Sequence, residues 1–260
     1  MTGVQATALQ FPVTMDAAEN LSKLVAGVCG LDTGGIVVAP EGVLSGYLPT
    51  PGFVTSLDID AIERAIDNAR NLALNRQVHL IVGACVHTDN VWRNATFYFG
   101  PQGQLWRYDK INLAQSERGT FTPGNRLPVL EINCDGEPLR LGIQMCREVR
   151  YPEQWRMLAT QGAQVIAYVN NAIGSKHGHE VWRSHMISRA AETQRFVVGA
   201  NNAATDQTCP SMIISPSGAV LSELAIGVEG VARATLFLDE VSNQVIGQAR
   251  NDVAAVSLRD

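Results

Sequence analysis

The chain has 260 residues, of which 46% are hydrophobic and only 17% charged, with a formal net charge of −5. That length is enough to bury a large core, and the acidic balance removes any electrostatic case for a nucleic-acid partner. No stretch approaches the roughly 20 apolar residues of a membrane span, so no membrane partner is expected.

Taken in order, residues 4–9 read as a strand and 16–28 as a helix with Leu21, Leu24 and Val25 on its apolar side. Residues 36–39 form a second strand. Residues 58–75 repeat apolar side chains near a helical period, with Asp58 or Asp60 as the cap. The all-apolar run 80–86 is a strand of the kind covered on both faces. Strands 91–99 and 105–108 are joined by Pro101-Gln102-Gly103-Gln104, and strands 129–132 and 139–144 pair across Asp135-Gly136. The second half continues with helix 153–161, strand 165–169, helix 180–193 and strand 196–200. A hairpin around Pro216-Ser217-Gly218 closes the series. No Pro/Gly/Ser-rich linker divides the chain, so residues 1–260 are expected to form one domain. Mixed strands with pairs of helices suit sheets packed together with helices outside.

The amino terminus lacks the basic flank and long apolar core of a signal peptide. Five cysteines (Cys29, Cys85, Cys134, Cys146, Cys209) are an odd number without a framework of spacings. Reduced thiols in the cytoplasm are the expectation. The low charge fraction suggests that some surface is covered by another subunit.

Three segments carry the chemistry. In Leu141-Gly142-Ile143-Gln144-Met145-Cys146-Arg147-Glu148, an apolar strand ends at a cysteine, and Pro152-Glu153 then opens a helix. A cysteine at such a turn lies near backbone N–H groups, where a nucleophile and its oxyanion need to be. Upstream, Gly35 to Ala39 leads into Pro40-Glu41-Gly42 and the Gly-rich turn to Tyr47. Between them lies Tyr108-Asp109-Lys110-Ile111-Asn112, followed by Phe121-Thr122-Pro123-Gly124. A carboxylate, a lysine and a cysteine thus each follow a strand, in that order.

In these residues, and in Ser188 to Gln194 and Ser211 to Gly218 downstream, the chain resembles the nitrilase superfamily of carbon–nitrogen hydrolases over nearly its whole length. The resemblance implies an α/β fold, a four-layer α-β-β-α sandwich of two mixed sheets packed face to face with helices outside. It implies Cys146 as nucleophile, Glu41 as general base, and Lys110 as the positive group favouring thiolate. Lys110 and the backbone N–H of Arg147 would form the oxyanion hole, and Glu117 would orient substrate. It also implies a homodimer or a higher homo-oligomer, pairing through residues 151–157 and the helix 180–193. The expected substrate is a small aliphatic or carboxylated amide, hydrolysed by water through a cysteine thioester with no cofactor and no metal. The same triad serves N-carbamoyl amino-acid hydrolysis and nitrile hydrolysis.

Pocket positions are read at Tyr47, Arg147, Asn170 and Asn171. Arg147 stands where family members often carry an aromatic or small polar residue, and its guanidinium suits a substrate carboxylate. Alternatively it turns outward into an ion pair with a neighbouring glutamate. Glu148, Arg150 and Glu153 read as a structural ion-pair set, and Glu192 as structural. A metal hydrolase using His177, His179 and His185 lacks any HExxH or paired CxxC. A Cys–His pair with His177 or His179 leaves the Glu41 and Lys110 segments unexplained. A non-catalytic scaffold leaves all three intact positions without a purpose.

Overall fold

The computed structural model describes residues 3–174, 178–255 and 257. Among the described residues, twelve strands form two six-stranded mixed sheets. The first half runs β1 (Val4–Gln10), α1 (Ala17–Cys29), β2 (Ile36–Val38), α2 (Ile59–Arg76), β3 (His79–Thr88), β4 (Val91–Phe99) and β5 (Leu105–Asp109). The second runs β6 (Val129–Cys134), β7 (Glu137–Met145), α3 (Pro152–Thr160), β8 (Val165–Val169), α4 (His179–Thr193) and β9 (Phe196–Ala200). It ends with β10 (Met212–Ile214), β11 (Val220–Glu223), β12 (Gly230–Leu236) and α5 (Gln244–Gly247). One sheet is ordered β12-β1-β2-β3-β4-β5 and the other β11-β10-β9-β8-β7-β6.

Each sheet is built on three parallel strands, β1-β2-β3 and β7-β8-β9, flanked by antiparallel neighbours. One core lies between the sheets, where Ala6, Ile36, Val38 and Ile81 meet Ile143, Ala167, Val198 and Ile213. A second core lies under α1 and α2, with Leu24, Val28, Ile62 and Ala69 against Val37, Leu80 and Val82. The helices α3 and α4 cover the other sheet through Trp155, Leu158, Trp182 and Met186. The order of layers is therefore α-β-β-α, as the resemblance implied.

Asp16 caps α1 by accepting from the backbone N–H groups of Ala18 and Glu19, and Asp58 caps α2 through Ala61. Asp60 falls inside the first turn of α2. Two details differ from the pattern. Val25 is exposed while Val28 is buried, and Ile59 and Leu74 lie outside the buried stripe of α2. An edge strand also escaped the pattern: β12 pairs antiparallel with β1, from Val4 opposite Leu236 to Gln10 opposite Gly230. No helix among the described residues is long and apolar enough to cross a membrane. All five cysteines are free.

β7 and β8 pair in parallel and so deliver their loops to one end of their sheet, where the loop after β2 of the other sheet meets them. The Glu41 N–H donates to the Asn170 carbonyl across the two sheets at 3.1 Å. Gly83 of β3 lies so close that a Cβ there would meet the Glu41 Cα at 2.7 Å. The absence of a side chain at Gly83 is what lets the Glu41 turn seat on its neighbouring strand.

Candidate active site

Glu41 follows β2, and the turn after it uses Gly42 and Gly46 at φ +77° and +81°. Lys110 follows β5, its backbone N–H bonded to the Asn94 carbonyl at 2.9 Å. Both side chains are fully buried. The Lys110 ammonium donates to Glu41 Oε1 at 2.9 Å and to Glu117 Oε1 at 2.8 Å. The Asn94 amide donates to the same two oxygens, each at 2.7 Å. Glu117 also accepts from the Tyr47 hydroxyl at 3.0 Å and from the Ala114 N–H. Glu41 Oε2 is buried with no hydrogen-bond partner among the described residues.

These contacts make the two carboxylates unequal. Burial raises the pKa of Glu41, and the Glu117 charge adds to this against the pull of Lys110. Burial works the same way on Glu117, but Lys110, Ala114 N–H and Asn94 together hold it below the usual carboxylate range. Lys110 is opposed by its burial, yet Glu117 and Glu41 keep it firmly charged. Glu117 is thus the fixed anion paired to the lysine, and Glu41 is the carboxylate more ready to take a proton.

Cys146 begins a short 3-10 turn (Cys146–Arg150) directly after β7. Its φ of +37° lies in the left-handed region that a non-glycine residue enters only when the surroundings hold it there. Tyr168 supplies one such hold, its hydroxyl donating to the Cys146 carbonyl at 2.6 Å. The thiol lies 3.7 Å from the Asn171 carbonyl, and it is buried rather than held out in solvent. Burial, then the Glu41 charge, push the thiol well above its ordinary pKa, with Lys110 opposing and Glu117 adding. The lysine was expected to favour thiolate. Lys110 does pull that way, but burial first and the two carboxylates after it outweigh the pull, so the thiol pKa is raised.

Glu148 belongs to this geometry, and the ion-pair set read for it does not form among the described residues. Its carboxylate accepts from the N–H groups of Ile111, Asn112 and Met145 at 2.8, 3.0 and 2.9 Å. The Tyr108 hydroxyl binds both of its oxygens. One buried side chain therefore ties the strand end before Cys146 to the segment after Lys110. Burial raises its pKa despite these donors. Arg150 lies over the Trp182 ring at 5.6 Å instead. Glu192 pairs with Arg189 at 2.6 Å, a structural contact as expected.

The remaining positions divide. Tyr47 reaches the cluster through Glu117. The Asn171 backbone borders the thiol, while its side-chain oxygen accepts from Asn202 and Gln207. Asn170 is fully buried. Arg147 is half-buried and has no ion pair with Glu148 or Glu153 among the described residues. Asn94 was missed by sequence reasoning, and Glu148 was misread as one of an ion-pair set. No group of three potential metal ligands occurs among the described residues, and His177 lies outside them.

The chain matches the carbon–nitrogen hydrolase family over residues 4–244, and it belongs to that family. It is 28% identical over 218 residues to a hydrolase in the agr operon of Staphylococcus lugdunensis, covering 80% of this chain and 90% of the relative. It is 29% identical over 226 residues to an (R)-stereoselective amidase of Pseudomonas sp., covering 80% and 76%. An amidase from Nesterenkonia sp. shares the fold with a TM-score of 0.82 at 20% identity, over 97% of this chain and 95% of that one. A variant of the Nesterenkonia amidase carries the acetamide moiety of fluoroacetamide covalently on its active-site cysteine.

The Glu148 contacts generate a stability prediction. Glu148→Ala leaves three backbone N–H groups without their acceptor, and each buried orphan costs about 1–3 kcal/mol. Urea unfolding should show a loss of roughly 3 kcal/mol or more. An unchanged midpoint would show that the N–H groups find water instead.

Proposed function

We propose that this carbon–nitrogen hydrolase is an amidase in which Cys146 is the nucleophile, Glu41 the general base and Lys110 the cation of the oxyanion site. The observation that carries the reading is the unpartnered Glu41 Oε2 in a cluster whose other carboxylate oxygens are all engaged. A free, buried carboxylate oxygen with a raised pKa suits a base that must take a proton from a thiol that is neutral at rest.

The thiol sulfur adds to the amide carbonyl carbon while its proton passes to Glu41. Lys110 and the Arg147 N–H meet the oxyanion. As the carbonyl re-forms, the C–N bond breaks and Glu41 returns the proton to the departing ammonia or amine, leaving a thioester. Water then gives a proton to Glu41 and adds to the thioester. The sulfur leaves with that proton, and the carboxylic acid is released. Glu117, fixed as an anion, holds Lys110 and Tyr47 in place and orients the substrate.

Ammonia release from a panel of small amides, carbamoyl amino acids and nitriles tests this reading. Amides should be turned over, and Cys146→Ala should lose several orders of magnitude in kcat/KM while melting normally. Retention of about a hundredth of the rate would end the mechanism. The base must be ionised, so activity rises as pH climbs through the pKa of Glu41. That rise should lie above the ordinary glutamate value of about 4.3. A rise at or below that value would contradict the role given to Glu41.

The half-buried Arg147 beside the nucleophile supports a preference for substrates carrying a carboxylate. Arg147→Ala should raise KM for acidic amides about tenfold or more, the equivalent of a charged hydrogen bond of about 1.5–3 kcal/mol. Propionamide should be nearly unaffected, and equal effects on both would discard the preference. The proposal includes a homodimer, or a multiple of one, through residues 151–157 and α4, which light scattering in solution reads directly.

A further inference from the structure

Asn94 lies within β4, opposite Cys85 of β3 on one side and beside Lys110, which follows β5, on the other. Asparagine is depleted inside strands, and this one is buried. An apolar β-branched residue would fill such a position without a polar group to satisfy. What asparagine adds is a carboxamide aimed at the charge cluster.

Asn94 Nδ2 donates to Glu41 Oε1 and to Glu117 Oε1, each at 2.7 Å. The Lys110 ammonium donates to the same two oxygens at 2.9 and 2.8 Å. Two donors and two acceptors thus alternate around a closed ring. The Asn94 backbone carbonyl also accepts from the Lys110 N–H at 2.9 Å, so one residue holds all three members of the cluster. The carboxamide has a single orientation, because turned over it would set Oδ1 against two carboxylate oxygens. Oδ1 is buried with no partner among the described residues. The side chain forgoes its acceptor bond to make both donor bonds.

The ring decides which oxygen of Glu41 is free. Both donors to Glu41 fall on Oε1, and Oε2 has no partner among the described residues. Glu117 is held differently, with the Ala114 N–H on Oε2 and the Tyr47 hydroxyl on Oε1. Without the Asn94 donors, Glu117 would keep Lys110, Ala114 and Tyr47, whereas Glu41 would keep Lys110 alone and could turn about its last bond. Burial raises the pKa of Glu41, Lys110 opposes this, Glu117 adds to it, and the bonds from Lys110 and Asn94 lower it. Cys146, Tyr47, Cys85 and Tyr168 also face the Glu41 charge, and burial favours the neutral form of each.

We propose that Asn94 is a positioning residue for the general base, holding Glu41 by Oε1 so that Oε2 is the oxygen that takes the proton from Cys146 and returns it to the departing amine. The inference rests on Glu41 being the base and Cys146 the nucleophile, and it deepens that reading. Asn94 acts through Glu41 rather than on the substrate.

Asn94→Leu keeps a side chain of similar shape and removes both donors. Ammonia release is followed against pH with the small amide that the wild type turns over fastest. The plateau of kcat should fall about tenfold or more while KM stays within about threefold. The rise of kcat/KM should move to higher pH by about one unit, because a carboxylate that loses a hydrogen bond to its charged form takes up a proton more easily. A purely structural role would lower the plateau and leave the rise in place; that result, or an unchanged profile, would overturn the proposal. A crystal structure of Cys146→Ala with the same amide bound reads the native Asn94, whether or not Asn94→Leu folds. The Glu41 oxygen bonded to Asn94 should stay there, and the other should face the amide nitrogen and position 146. An amide met by the oxygen bonded to Asn94 would overturn the proposal. Wild-type protein that releases ammonia from no amide would overturn the amidase reading and this role with it. Turnover abolished by Cys146→Ala, with an unmoved rise in Asn94→Leu, would remove the role of Asn94 alone.

Discussion

A lysine ammonium with no exposed surface holds two glutamates, Glu41 at 2.9 Å and Glu117 at 2.8 Å, and the rest of the site is arranged around that contact. Burying an unpaired ammonium is very costly, and burying two carboxylates beside one cation leaves a surplus negative charge. Asn94 and Tyr47 relieve part of that surplus by donating to the carboxylate oxygens. The donors are unevenly shared, and Glu117 receives more of them. That asymmetry separates the proton affinities of two chemically identical groups, the general device by which paired acids acquire different roles.

Burial first, and then the same surplus, raises the pKa of the thiol. A cysteine beside a lone lysine would ionise readily, but here the nearest carboxylates and the burial both favour S–H. In the proposed mechanism, activation of Cys146 depends on a base at the moment of attack rather than on a standing thiolate. The fold supports such a step by rigidity. The strained Cys146 backbone is tied through its carbonyl to Tyr168. Glu148 ties its strand to the Lys110 segment, so the nucleophile and the charge cluster are positioned by one network of buried bonds.

Much of this was legible locally. Glu41, Lys110 and Cys146 each sit at the end of a strongly patterned strand, and strand ends show in hydrophobic runs. The resemblance supplied the pairing of those ends, which periodicity does not contain. Glu117 was picked out through the resemblance, its spacing from Lys110 fitting the family's further glutamate, and it does bond to Lys110. Asn94 was hidden because it sits inside a strand whose alternation looks ordinary. Glu148 was misread because charged neighbours in sequence suggest ion pairs, whereas its partners are the Met145 N–H and, more than thirty residues upstream, the Tyr108 hydroxyl and the N–H groups of Ile111 and Asn112. The strand β12 is a half-exposed edge whose small residues give no clean alternation, and its pairing with β1 spans nearly the whole chain. The Asn171–Gln207 contact joins two loops, and nothing in either loop's own sequence announces the other.

Cys146 is proposed to be the reactive thiol although it is buried and its pKa is raised. Fluoroacetamide labelling followed by peptide mapping tests it most directly, because the reagent is weak and access alone favours the exposed Cys29. The account predicts one acetamide group, on Cys146, formed as the sulfur displaces fluoride. Labelling of Cys29 with Cys146 left untouched would contradict it.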